Sequence, residues 1–155
     1  MKCLLVAALC AISPVASADQ RADVLACIGT MNTDADWARC RTMIFAPCAT
    51  DEVGTETHLA CLKTEKAAWL QDIETKRAAL SERLTAISQG ALTDLHAQWV
   101  LYVGQKCPAI AQANAETSAE AALVGCEISE AVGIASEFQS CLSGQSTAPY
   151  CVLED

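Results

Sequence analysis

Residues 55–87 read TETHLACLKTEKAAWLQDIETKRAALSERLTAI, the most regular hydrophobic pattern in the chain. Leu62, Trp69, Ile73, Leu80, Leu84 and Ile87 follow one another at gaps of seven, four, seven, four and three. Such gaps keep large apolar side chains along one side of a helix with 3.6 residues per turn, and that side faces a core. Lys63, Glu65, Lys66, Asp72, Glu74, Lys76, Arg77 and Glu82 lie between them and make a mixed-charge face. Pairs such as Asp72 and Lys76, acid first and four apart, add about 0.2–0.5 kcal/mol each to the helix. The pattern predicts one long amphipathic helix over 55–87, capped by Thr55 or Thr57 and closed at Gly90 by a left-handed residue.

Outward from this stretch the chain keeps reading as helix. On the N-terminal side, Val24, Leu25 and Ile28 give a short first helix over 19–31. Thr33-Asp34-Ala35-Asp36 then supplies an N-cap and an acidic first turn for a second helix carrying Trp37, Cys40, Ile44 and Phe45, which Pro47 ends. On the C-terminal side, Leu92, Leu95, Trp99 and Val103 begin a fourth helix, interrupted or kinked near Gly104 and Pro108. Residues 109–122 read either as its continuation or as a loop. From Ser118 the series Val124, Ile128, Ala131, Ala135, Phe138 and Leu142 forms another helical stripe, and an irregular tail held by Cys151 follows. Strand patterns, a P-loop and nucleotide-binding glycine motifs are absent from the sequence. The expected class is all-α, a disulfide-stapled bundle of about five helices in one domain over residues 19–155.

Residues 1–18 read differently. Lys2, an apolar run over 3–12 and the small residues Ala16-Ser17-Ala18 match a secretory signal cleaved after Ala18. The run is interrupted by Ser13-Pro14, short of the roughly 20 apolar residues that a membrane span needs. Cleavage would remove one lysine and no acid, taking the net charge from -9 to -10. Such a surface repels nucleic acid and anionic membranes; it fits a basic protein partner and equally fits acidity that simply keeps an exported protein in solution.

Eight of the ten cysteines follow the leader: Cys27, Cys40, Cys48, Cys61, Cys107, Cys126, Cys141 and Cys151. An even number in an exported chain of this size is a disulfide framework. No C-x-x-C pair supports zinc, and no C-x-x-C-H supports haem. The framework also compensates for a core with only two Phe, two Tyr and three Trp. Eight cysteines allow 105 connectivities. Turn chemistry at the middle of each interval, Asn32-Thr33-Asp34, Gly54-Thr55, Glu116-Thr117 and Gly144 to Ser146, favours four successive bridges: Cys27 to Cys40, Cys48 to Cys61, Cys107 to Cys126 and Cys141 to Cys151. A nested arrangement would join Cys40 to Cys48 across Met43-Ile44-Phe45, which lacks a turn signal.

Chemistry-bearing residues are sparse. His58 and His96 have no third ligand at a spacing that would bring them together. Glu127, Glu130 and Glu137 could line one helix, where acidic faces are usually solvated, and the three Trp residues fall in helical stripes as core anchors. The sequence therefore points to neither an enzyme nor a cofactor. Acidic Asp51-Glu52, beside the turn between Pro47 and Gly54, is the first candidate for contact with a partner.

Two segments resemble the LprI-type lysozyme-inhibitor family. One runs from Cys27 through Cys40, Pro47-Cys48 and Gly54 to Ala60-Cys61-Leu62, then Glu65 and Trp69; the other is Trp99, Tyr102 and Cys107, followed by Cys126. The chain departs from the family at His96, where Gln is common, at Val103-Gly104 in place of Arg-Asp, and at Ala131 and Ile134 near the usual Thr and Arg. The resemblance implies a helical bacterial protein of the periplasm or the exterior that binds and inhibits lysozyme, a strongly basic partner in its c-type form. A periplasmic structural or envelope-interaction protein without catalytic activity would share this framework. A small-ligand binder would need a cavity between the Trp-bearing helices.

Overall fold

A computed structural model describes residues 18–31, 33–114 and 118–153. The expected leader lies outside the described residues apart from Ala18, as do Asn32 and the Glu116-Thr117 turn. Five α-helices follow in order among the described residues: α1 (Ala18–Gly29), α2 (Asp34–Phe45), α3 (Glu56–Ser81), α4 (Ala86–Ala113) and α5 (Ala119–Leu142), with a 3₁₀ turn at Ala46–Cys48 after α2. The architecture is all-α.

Hydroxyl caps begin four of these helices. Thr33, Thr55, Thr85 and Ser118 each accept a hydrogen bond from the backbone N–H three residues on, at Asp36, His58, Ser88 and Ala121. Each satisfies an amide that has no partner within its helix. At the other end of α5, Gly144 adopts φ +70°, and Gln145 N–H bonds back to Ser140 O at 2.9 Å. This left-handed closure releases the tail.

The long stretch is two helices, not one. α3 stops at Ser81, where Arg83 and Leu84 N–H groups both bond the Leu80 carbonyl at 2.9 Å. Leu84 then pairs with Leu153 of the tail in an isolated antiparallel bridge, Thr85 N–H bonds Val152 O at 3.2 Å, and Thr85 caps α4. Leu84 is buried because it sits in this turn, whereas Ile87 is 88% exposed. Gly90 therefore ends nothing and lies within α4, which also runs unbroken through Gly104 and Pro108. A proline N–H is absent and its ring crowds the carbonyl four residues back, here that of Gly104, yet helix continues on both sides. Glu65 departs from the charged-face expectation too, being only 2% exposed. It stands three residues after Leu62 and four before Trp69, on the apolar stripe.

Cross-helix ion pairs give the register. Lys63 meets Glu120 and Lys66 meets Glu127, both at 2.7 Å, and Arg83 donates to Leu142 O at 2.9 Å, so α3 and α5 run parallel. Lys106 meets Glu130 at 2.6 Å and His96 lies 3.6 Å from Glu74, so α4 returns antiparallel to both. Trp69, Ile73 and Leu80 of α3 are buried with Ile128, Val132 and Phe138 of α5 in one core. Ala131 and Ala135, fully buried, leave room for close helix approach. Val24, Leu25 and Ile44 extend the core under α1 and α2. Trp69 is fully inside, whereas Trp37 and Trp99 are half-buried at its edge.

The four bridges join Cys27 to Cys40, Cys48 to Cys61, Cys107 to Cys126 and Cys141 to Cys151, with Cα separations of 5.4–5.7 Å. These are the sequential pairs that the turn signals favoured. They close loops with sequence separations of 13, 13, 19 and 10 residues, a range in which each contributes about 2–4 kcal/mol.

Candidate functional site

Two of these bridges shape a groove of about 650 Å³ between the end of α2, the 49–55 loop, the start of α3, the last turns of α4 and the first half of α5. Cys48, joined to Cys61, holds the loop against α3; Cys126, joined to Cys107, holds α5 against α4. Cys48 and Cys126 both line the groove. Phe45, Leu62, Ile110 and Gly125 supply apolar wall, and Phe45 lies 3.9 Å from where a side chain on Gly125 would begin. The groove volume suits a ligand or a few partner side chains.

Its rim is built by local hydrogen bonds. Asp51 N–H bonds Cys48 O at 3.3 Å, and Thr55 N–H bonds Glu52 O at 3.1 Å. The Thr55 hydroxyl donates to the same carbonyl at 2.7 Å and accepts from His58 N–H at 3.2 Å. Gly54 takes a positive φ of 88° and directs its N–H toward His58 Nδ1 at 3.5 Å. The loop is thereby pre-formed. It presents Asp51 to the groove and Val53, 73% exposed, at its edge.

Asp51 and Arg41 face the groove and form no ion pair among the described residues. Lys106 and Glu130 neutralise each other on its opposite side. The hydrogen bond to Glu130, followed by one to Tyr102, raises the Lys106 pKa, so the ammonium stays charged. Its Nζ also stands 5.2 Å from the Tyr102 ring centre, a cation–π distance.

The sequence candidates are dispersed. Asp51 reaches the groove, while Glu52 is exposed and does not line it. His58 is at the rim, but His96 stacks on Trp99 with ring centres 5.7 Å apart and faces Glu74. Glu74 is sixteen residues beyond His58 on α3, roughly 24 Å of helix rise, so the histidines do not share a site. Nor are the α5 carboxylates a solvated face. Glu127 binds Lys66, Glu130 binds Lys106, and Glu137 accepts from the Tyr150 hydroxyl. Among the described residues no three His, Cys, Asp or Glu gather as for a metal ion, and no helix is long and apolar enough to cross a membrane.

The groove lies among α2, α3 and α4, the helices that carry Trp37, Trp69 and Trp99, but none of the three Trp side chains lines it. Arg41 and Phe45 were missed as site residues because each reads as an ordinary position of α2. Only the tertiary approach of α4 and α5 turns them inward to a common wall.

The groove combines apolar walls, a hydrogen-bonded loop and two charges, Asp51 and Arg41, that form no ion pair among the described residues. No family model, curated protein or solved structure matches the chain.

Proposed function

We propose that the chain is an exported binding protein without catalytic activity, which uses the groove beside the 49–55 loop to hold a basic protein, with lysozyme the candidate that the family resemblance supplies. The observation that carries this reading is the unpaired Asp51 carboxylate on a disulfide-held loop over an apolar groove. A lysine or arginine of the partner would lay its alkyl stem along Phe45 and Leu62 and bring its head to Asp51. Net charge of -9 over the full sequence, -10 once the expected leader is removed, would steer a cationic partner toward the chain and make association faster at low salt. The same framework, without lysozyme affinity, would serve a structural protein of the bacterial envelope.

Lysis of peptidoglycan by a c-type lysozyme, followed with the oxidised protein in excess at low and high salt, tests the reading. Inhibition is expected at low salt and weaker at high salt. Asp51→Asn is expected to weaken it roughly ten-fold or more, as loss of a charged hydrogen bond does, with Glu52→Gln changing it little. Undiminished lysis in the presence of folded protein would leave an envelope-interaction role, to be pursued by capture of partners.

A further inference from the structure

The groove beside the 49–55 loop continues past Phe45. A smaller groove of about 430 Å³ runs on along α2, lined by Trp37, Ala38, Arg41, Thr42 and Phe45, and the two grooves share Arg41, Thr42 and Phe45. Trp37, Arg41 and Phe45 follow one another at gaps of four, so they stand in one line along the helix. Trp37, half-buried, packs against the core and also walls this groove. From Trp37 to Phe45 is roughly 12 Å of helix rise, and Cys48 lies roughly 6 Å further along the 3₁₀ turn. A strip of that length takes a segment of chain, not a single side chain.

The order of charges along the strip is specific. Lys106 pairs with Glu130 at 2.6 Å, which leaves Asp51 at the loop end and Arg41 on α2 as the lining charges without an ion pair among the described residues. Arg39, two residues before Arg41, pairs with Asp36 at 3.2 Å and lines neither groove. Arg41 is the single charged residue lining the smaller groove. In the larger one, Arg41 and Lys106 balance Asp51 and Glu130, so its wall is neutral within a chain of -9. A partner segment bearing cations alone would satisfy Asp51 and set a second cation against Arg41.

We infer that the partner segment docking on this strip carries an acid as well as a base. The base meets Asp51, apolar residues cover Phe45 and Trp37, and the acid meets Arg41. This rests on the proposed use of the groove for a protein partner and adds Arg41 as the residue that selects among basic proteins. The charge of the whole chain draws a basic protein in, and the order of charges on the strip decides whether a given segment of its surface fits. Arg41 to Cys48 is roughly 12 Å of rise, and Asp51 is tied to the Cys48 carbonyl. A base and an acid three residues apart in extended chain span roughly 10 Å, close to that separation.

NMR titration of the ¹⁵N-labelled oxidised protein at fixed ionic strength tests this with the capped peptide acetyl-Lys-Leu-Leu-Glu-Leu-amide and with versions carrying glutamine or lysine in place of the glutamate. Saturable shifts are expected at the amides of Thr42, Phe45, Asp51 and Gly125. The glutamate peptide is expected to bind about two- to five-fold more tightly than the glutamine peptide, the scale of an exposed ion pair, and the lysine peptide most weakly. Arg41 is exposed, so its replacement leaves the core intact. Arg41→Gln is expected to remove the preference for glutamate over glutamine, and Arg41→Glu to make the lysine peptide the tightest, a reversal that a merely structural role would not produce. Absence of saturable shifts with all three peptides would overturn the use of the groove together with this inference. Shifts that favour the lysine peptide in the unaltered protein, or a glutamate preference kept in Arg41→Gln, would overturn the inference alone and leave a groove for a purely basic segment.

Discussion

At the scale of single residues, a few polar side chains tie one element of the protein to another. Tyr150 is the clearest case: its hydroxyl donates to Glu137, which also receives the Ser146 hydroxyl at 3.4 Å. Burial first, and then this hydrogen bond, push the Tyr150 pKa up from the ordinary phenol value of 10.0. A raised folded pKa means that the folded state keeps the proton more tightly than the unfolded chain does. The stabilisation is therefore complete below about pH 10 and is lost as pH rises through the folded value. Tyr150→Phe is expected to cost about 1 kcal/mol at neutral pH through the lost hydrogen bond. It is also expected to flatten the decline in stability above pH 10, which urea denaturation at a series of pH values would measure. The acids of α5 follow the same logic. Sequence supplies their positions, and the helices opposite supply their partners.

At the scale of elements, the informative place is the turn between α3 and α4. The hydrophobic period runs straight across it, because Leu84 needs burial whether it continues a helix or pairs with Leu153. Thr85 with Ser88 was the available signal for a new helix start, since the Thr85 hydroxyl caps the Ser88 amide. Thr85→Ala is expected to cost about 1 kcal/mol. Gly90 offers the opposite test. It lies inside α4, and a side-chain carbon added there would meet nothing within 4 Å. Gly90→Ala is expected to stabilise the protein by about 0.5–1 kcal/mol, since alanine loses less backbone freedom in a helix. Thermal unfolding of the two variants would show shifts of opposite sign. A helix that ended at Gly90 would instead be harmed by the alanine.

At the scale of the whole molecule, the covalent framework and the charge act together. Cys48–Cys61 and Cys107–Cys126 brace the Asp51 groove, whereas Cys141–Cys151 ties the tail far along the chain near the end of α5. Replacing either Cys48 and Cys61 or Cys141 and Cys151 with alanine is expected to cost about 2–4 kcal/mol. Only the first replacement is expected to weaken partner binding as well, because it frees the 49–55 loop. Denaturation and binding measured on both double variants separate stability from site geometry.

The sequence by itself determined the helical class, favoured the four successive bridges over a nested set, and picked out most apolar residues of the core, Ile87 excepted. Those depend on local periodicity, on cysteine number and on turn residues at the middle of each interval, all of which are written within a few turns of chain. It also singled out the Asp51-Glu52 loop, of which Asp51 lines the groove and Glu52 does not. Tertiary structure alone decided that the 55–87 stretch breaks at 82–85, that Glu65 goes inside, that Glu127 and Glu130 are paired, and which side chains line each groove. These outcomes depend on contacts between residues far apart in sequence: the tail against the α3–α4 turn, α5 against α3, and α1 across both. A helical period shows which side of an element is buried. It carries no record of the element that will cover it.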